Sequence, residues 1–258
     1  VPASGSTFSL GATTVSCRSQ DRLGRQASCG FVVTLEPSVI GVKAFVAFGD
    51  SVTLGENALP GPAPAFAPLF IDTPNAYPTK LRATFDADFP GQAVTVTNEG
   101  KSAERATDGP ARLPGVLALR KPGGLLLLHG YNDLLADGIA GAGPVAAALG
   151  DMVRLARTAG VSYVFVSTIT PSRPGQRQIS PAAILETNFR IRQMAAVEGA
   201  VLVDAYDAFF GQEAVLVGND GLHLTPAGNQ VLAATFYTAI RNRVPASLLS
   251  APARAPGR

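Results

Sequence analysis

Tryptophan is absent from this chain, and aromatic residues together make up only 7% of it. A platform that stacks sugars on indole rings is therefore missing, with Phe66 and Tyr131 left as smaller surfaces. Charge is scarce as well, at 16%, and 21 Lys plus Arg nearly balance 19 Asp plus Glu for a net charge of +2. No basic run occurs, which argues against nucleic acid as the main partner. No apolar stretch approaches the ~18 residues that a membrane span needs. Only two histidines and two cysteines are present. Clustered metal-ligating side chains are lacking, which disfavours a metal-dependent phosphoesterase, and no metal or cofactor is expected. The chain starts at Val1 with neither an initiator Met nor a signal peptide, and reads as a mature or trimmed form.

What is present is a strongly apolar chain: 47% hydrophobic over 258 residues. That suits one α/β domain with an appendage. The two cysteines, Cys17 and Cys29, fall in a short polar segment near the N-terminus, with spacing that fits a disulfide across a hairpin. The segment is too polar to hide two free thiols in a core, so a Cys17–Cys29 bridge is expected. Such a bridge would imply an oxidising compartment, secreted or periplasmic. Residues 1–42 are rich in Ser, Thr, Gly and Val and predict a β-hairpin arm, the remnant of a β-sandwich module, with strands over Ala12–Cys17 and Ala27–Leu35.

From Lys43 the pattern alternates. Strands are predicted at Lys43–Phe48, Ala93–Thr97, Gly124–His129, Ser162–Thr168 and Val201–Val203. Helices are predicted at Ala76–Phe89, Ala103–Leu119, Ala140–Ala159, Pro181–Glu198 and Thr225–Arg241. Between Gly55 and Pro74 lies a long Pro- and Gly-rich loop whose apolar part, Ala65–Ile71, suits a wall over a site. Residues 43–242 thus form a three-layer α/β domain on a five-stranded parallel sheet, and 243–258 a loose tail. Right-handed crossovers bring the residues that follow each strand to one edge.

At that edge the first strand runs into Gly49-Asp50-Ser51, a turn that presents a serine as a candidate nucleophile. Of the two histidines, His223 lies in Asp220-Gly221-Leu222-His223-Leu224-Thr225-Pro226, with Thr225 as N-cap and Pro226 in the first turn of the last helix. Asp220 can curl back to one imidazole nitrogen while the other takes a proton from the serine. His129 ends the Leu-rich strand and reads as a packing residue, with pocket lining as its second possibility. Asn132, in Gly130-Tyr131-Asn132-Asp133, can donate from its amide to an oxyanion, and so can backbone N–H groups in Asn98–Glu104.

Gly49-Asp50-Ser51, Asn98–Glu104, Gly130-x-Asn132-Asp133 and Asp220-x-x-His223 follow one another in the order and spacing of the SGNH (GDSL) hydrolases, which residues 43–242 resemble. The resemblance implies a flavodoxin-like fold and cofactor-free hydrolysis of esters, less often thioesters or amides. It implies Ser51 as nucleophile, His223 as base and then acid, and Asp220 as its orienter. The oxyanion donors would be the backbone N–H of Ser51, a second-block backbone N–H, and the Asn132 side chain. The family's second-block residue is usually a glycine. Here its position, five after Asn98, falls on Ala103, and Gly100 competes at the wrong offset. If the site needs a positive φ, the Ala103 Cβ costs about 1–2 kcal/mol.

Asp50, Phe66 and Tyr131 are expected to line the substrate site. The expected substrate is a small-molecule ester with a short acyl or aryl group, and acetyl esters of carbohydrates are the alternative. The competing class is a non-catalytic binding protein on a hydrolase fold. Activity should rise with pH as His223 loses its proton, near ~6.5 for an ordinary imidazole.

Overall fold

The β-branched, polar opening of the chain does what its composition favours. In a computed structural model, which describes residues 5, 7–8, 11–35, 38–58 and 70–248, β1 (Gly11–Gln20) and β2 (Gln26–Leu35) pair antiparallel. Asp21 closes the turn, its Oδ1 accepting the N–H groups of Leu23 and Arg25, both at 2.9 Å.

Cys17 stands directly opposite Cys29 in this ladder, yet both thiols are free. The expected disulfide is therefore corrected. The argument for it assumed that free thiols would have to be buried, whereas both are exposed. A thiol hydrogen bond with Cys29 holds the Cys17 pKa above its ordinary value. The secreted or periplasmic location rested on the bridge and loses that support.

A short strand β3 (Ser38–Ile40) follows the hairpin. The hairpin and β3 fall in one compact unit, and Val42–Pro245 forms the other.

The second unit opens with β4 (Ala44–Gly49), whose last five residues are buried, and continues into α1 (Ser51–Leu54). The expected 55–74 loop is partly ordered into strands. β5 (Glu56–Asn57) pairs with β6 (Phe70–Ile71), and a 3₁₀ turn spans Thr73–Asn75. Residues 59–69, Phe66 among them, lie outside the described residues.

Then come α2 (Tyr77–Asp88), β7 (Thr95–Gly100) and α3 (Gly109–Arg120). The helix expected from Ala103 starts only at Gly109. A loop through Ala103 and a 3₁₀ turn at Ala106–Asp108 take up the intervening residues. β8 (Gly124–Leu128) is buried throughout. Its four leucines each contribute roughly 1.5–3 kcal/mol relative to exposure.

α4 (Tyr131–Asp137) and α5 (Ala142–Thr158) lead to β9 (Tyr163–Ser167). α6 (Pro181–Glu198) is capped by Ser180 and ended by Gly199 at φ 61°. β10 (Val201–Val203), α7 (Ala205–Phe209), α8 (Glu213–Leu216) and α9 (Pro226–Arg243) complete the unit. β11 (Ala246–Leu248) pairs antiparallel with β3, so the start of the expected loose tail is a strand, and 249–258 lie outside the described residues.

One expectation about apolar length also needs correcting. Among the described residues, Tyr131–Thr158 is long and apolar enough to cross a bilayer by composition alone, with mean hydropathy 1.2. The run is α4, a 3₁₀ turn at Gly138–Gly141, and α5, and 56% of its apolar window is buried inside the protein, as in a core helix.

The five parallel strands lie in the order β7-β4-β8-β9-β10. Counted along the chain this is 2-1-3-4-5, the flavodoxin-like arrangement, and its topological switch point lies between β4 and β8. Helices flank the sheet. α2 packs on α9, where Tyr77 stacks on Phe236 at 5.1 Å, and α5 packs against α3 and α6. Phe45 of β4 stacks on Phe85 of α2 at 5.4 Å. The C-terminal ends of β4, β7 and β8 therefore meet at the switch point.

Candidate active site

β4 ends in a glycine because nothing larger fits. A Cβ on Gly49 would lie 2.0 Å from the Leu128 carbonyl oxygen and 2.4 Å from Thr53 Oγ1. Asp50 then caps α1, its Oδ1 accepting the Val52 N–H at 3.1 Å. Ser51 is the first residue of that single helical turn, at the carboxyl edge of the sheet.

Its Oγ lies 2.9 Å from His223 Nε2, and His223 Nδ1 lies 2.6 Å from Asp220 Oδ2. With the proton on Nδ1 donated to Asp220, Nε2 is left to accept the serine O–H. Asp220 is fully buried. Burial alone would raise its pKa, but the hydrogen bond and charge of His223 and the N–H groups of Leu222 and His223 outweigh it and bring it below the usual value. Those two N–H groups donate to Oδ1, each at 3.0 Å.

The loop carrying the pair is clamped from outside. Arg177 N–H donates to the Asp220 carbonyl at 2.7 Å and Arg173 N–H to that of Gly221 at 3.2 Å. Gly221 adopts φ 92°, which only glycine takes readily, to make the turn between Asp220 and His223. Thr225 caps α9 by accepting the Gly228 N–H at 3.1 Å, and Pro226 occupies the first turn.

Asn132 stands in the first turn of α4 and donates from Nδ2 to the Glu104 carbonyl at 2.9 Å. This fixes the amide and leaves its second N–H without a protein acceptor among the described residues. Asp133 braces the same loop, accepting the Ala106 N–H at 2.7 Å and the Thr107 hydroxyl at 3.0 Å.

Gly100 and Ala103 separate clearly. The Gly100 N–H is taken by Asn98 Oδ1 at 2.9 Å, and a Cβ there would lie 2.1 Å from the Leu54 nitrogen. Gly100 is thus required by close approach to α1. Ala103 is exposed, has φ 58°, and donates its N–H to no protein acceptor among the described residues.

An L-residue at that φ costs about 1–2 kcal/mol, and glycine loses about 0.5–1 kcal/mol more in chain entropy. Ala103→Gly is therefore expected to stabilise the protein by about 0.5–1 kcal/mol in denaturant melts. An unchanged or lower stability would show that the positive φ carries no such cost here.

Two residues expected to line the substrate do not. Asp50 is 0% exposed, and Tyr131 is 2% exposed. The Tyr131 hydroxyl is held by Thr170 Oγ1 at 3.0 Å and the Thr170 N–H at 3.2 Å. Phe66 lies outside the described residues.

His129 packs inside the protein, its ring edge-on to Phe48 at 6.2 Å, but its polar surroundings go beyond packing. It is fully buried, with one carboxyl group on each side of its ring, those of Asp50 and Glu104. Sequence reasoning also missed Glu56, whose Oε2 lies 3.6 Å from His223 Nε2 with its side chain only 12% exposed. Asn229 holds the neighbouring Asn57 at 2.8 Å and so anchors β5 beside the base. Nothing local marks Glu56, because its partner lies far along the chain. A separate groove of about 610 Å³, lined by Pro114, Leu117, Lys121, Leu155, Thr158 and Val161, contains none of Ser51, His223 and Asp220.

The model of the GDSL-like lipase/acylhydrolase family matches residues 47–231. No curated protein sequence matches significantly. Among solved structures, an alpha/beta hydrolase enzyme from the metagenome of Lake Arreo, Spain, is 24% identical, with TM-score 0.63, over 78% of this chain and 96% of that one. A carbohydrate acetylesterase from Sinorhizobium meliloti is 19% identical, with TM-score 0.64, over 78% and 99%. The M. smegmatis aryl esterase is 22% identical, with TM-score 0.61, over the same shares.

Proposed function

We propose, from the premise that the chain belongs to the GDSL-like lipase/acylhydrolase family, that it cleaves short acyl or aryl carboxylic esters through an acyl-enzyme on Ser51. The observation that carries this reading is the unbroken relay from Ser51 Oγ through His223 to Asp220, at 2.9 and 2.6 Å. Ser51 Oγ attacks the ester carbonyl carbon as its proton passes to His223 Nε2. The tetrahedral oxyanion is held by the N–H groups of Ser51 and Ala103 and by the Asn132 amide. Nε2 then returns the proton to the departing alkoxide. A water, deprotonated by the same nitrogen, releases the acid and restores Ser51.

The test is hydrolysis of p-nitrophenyl esters from acetate to decanoate at pH 8. Turnover highest on the short chains supports the reading, and inertness across the series overturns it.

Glu56 favours a second reading, acetyl esters of carbohydrates. A carboxylate beside Nε2 faces the path of the leaving group and accepts a hydrogen bond from a hydroxyl neighbouring the scissile oxygen. Hydrogen bonds to charged groups are worth about 1.5–3 kcal/mol. Glu56→Gln should therefore lower kcat/KM for acetylated xylo-oligosaccharides, relative to p-nitrophenyl acetate, by about tenfold. Equal losses on the two substrates would remove this reading.

A further inference from the structure

Directly behind the nucleophile, three elements contribute to a buried cluster of charged groups that the hydrolytic steps do not use. His129 Nδ1 lies 3.4 Å from Asp50 Oδ2, and Nε2 lies 3.2 Å from Glu104 Oε2. Asp50 Oδ2 and His129 Nδ1 are both buried and neither makes a hydrogen bond of regular geometry, so at 3.4 Å they face each other as an ion pair. Glu104 is gripped by Arg112, whose Nε lies 2.7 Å from Oε1 and 3.0 Å from Oε2, and it is approached by Lys101 Nζ at 3.3 Å. Arg112 also donates to the carbonyls of Glu99 at 3.1 Å and Gly49 at 3.3 Å, and lies 3.9 Å over the Phe48 ring.

A neutral imidazole has one N–H, and here both ring nitrogens face carboxyl oxygens, so with both carboxylates ionised it is the doubly protonated ring that presents an N–H to each. Burial alone would lower the His129 pKa, but Asp50 and Glu104 together raise it to about 9. Burial would likewise raise Glu104, but His129 and Arg112 bring it down to about 2. The other titratable groups facing the cluster are the phenols of Tyr77 and Tyr131, near Asp50, both held above their ordinary range mainly by burial.

The two ends of the cluster adjoin the reacting groups. Asp50 precedes Ser51 and caps its helix, while Glu104 follows Ala103 and its carbonyl holds Asn132. We propose that the His129 imidazolium is a positioning residue that ties Asp50 to Glu104 and so fixes the spacing between Ser51 and the oxyanion donors at Ala103 and Asn132. Stability alone does not account for the cluster, because buried ion pairs are commonly matched by apolar residues of similar volume. The inference rests on the serine-esterase reading.

A group whose pKa is higher in the folded state stabilises fully below its unfolded value, ~6.5, and the contribution disappears as pH rises through about 9. The same deprotonation loosens the oxyanion donors, so kcat declines in that window.

With two histidines in the chain, imidazole ¹⁵N NMR resolves each ring, assigned by His129→Gln. The wild-type His129 ring should keep both N–H groups up to about pH 9. A ring neutral at pH 7 would overturn the proposal, whether or not any ester is turned over. His129→Gln should lower kcat on the best p-nitrophenyl ester about tenfold or more at pH 7.5, with KM within about threefold. It should also abolish the alkaline decline of kcat near pH 9. An unchanged kcat and an unchanged alkaline limb would overturn it. If the variant does not fold, the wild-type titration still decides. Failure of the esterase reading is separate, since it appears as wild-type inertness on every ester.

Discussion

Ser51→Ala is expected to reduce kcat on p-nitrophenyl acetate by on the order of 10⁶-fold while leaving the melting temperature nearly unchanged. The substitution removes only Oγ, which lies 2.9 Å from His223 Nε2, and leaves the backbone N–H proposed to donate to the oxyanion. His223→Ala should cost about as much, and the double variant little more, because nucleophile and base act as one unit. Asp220→Asn should cost about 10⁴-fold. An asparagine amide facing Nδ1 favours the tautomer with its proton on Nε2, which cannot accept from Ser51. Activity in all three variants should nevertheless exceed the uncatalysed rate, through the Asn132 and backbone donors. A Ser51→Ala enzyme within tenfold of wild type would mean that the relay is not the reacting centre.

Gly49→Ala is expected to be strongly destabilising. The added Cβ would lie 2.0 Å from a carbonyl oxygen of β8 and 2.4 Å from Thr53 Oγ1. Thr53 is fully buried and the carbonyl belongs to the central strand, so neither can turn away. Overpacking of this kind costs about 1–3 kcal/mol and occasionally more. With backbone as the obstacle, about 3–5 kcal/mol is expected, enough to lower the melting temperature by roughly 10 °C. Activity should fall with it, because separating β4 from β8 moves Ser51 away from Asn132. Thermal unfolding followed by circular dichroism checks this, and a melting temperature within two or three degrees of wild type would refute it.

The sheet was legible because β4 and β8 are short apolar runs that end in turn residues, and the helices between them carry caps such as Ser180 and Thr225. Alternation of strands and helices says nothing of strand order. That the second strand lies outside the first came from the resemblance and not from periodicity. α4, α7 and α8 escaped notice because helices of four to seven residues are too short to express a 3.6-residue period.

At the site, Asp220 and His223 were readable because their partnership is local to one loop, and Ser51 because a strand-end turn presents it. The Asp50–His129–Glu104–Arg112 cluster was not readable. Its members come from different elements, and in sequence a buried charge looks like any surface charge. Cys17 and Cys29 misled for the opposite reason. They face each other in the hairpin as expected, but both are free thiols, and exposed ones, which the argument from burial had not considered.

The measurement that tests the central claim most directly is intact-mass analysis after brief exposure to a fluorophosphonate at pH 8, followed by peptide mapping. One adduct per chain, on Ser51, with none on the Ser51→Ala or His223→Ala proteins, is the predicted result. An unlabelled wild-type protein that still hydrolyses p-nitrophenyl acetate, or an adduct on another residue, would contradict the assignment of Ser51 as an activated nucleophile.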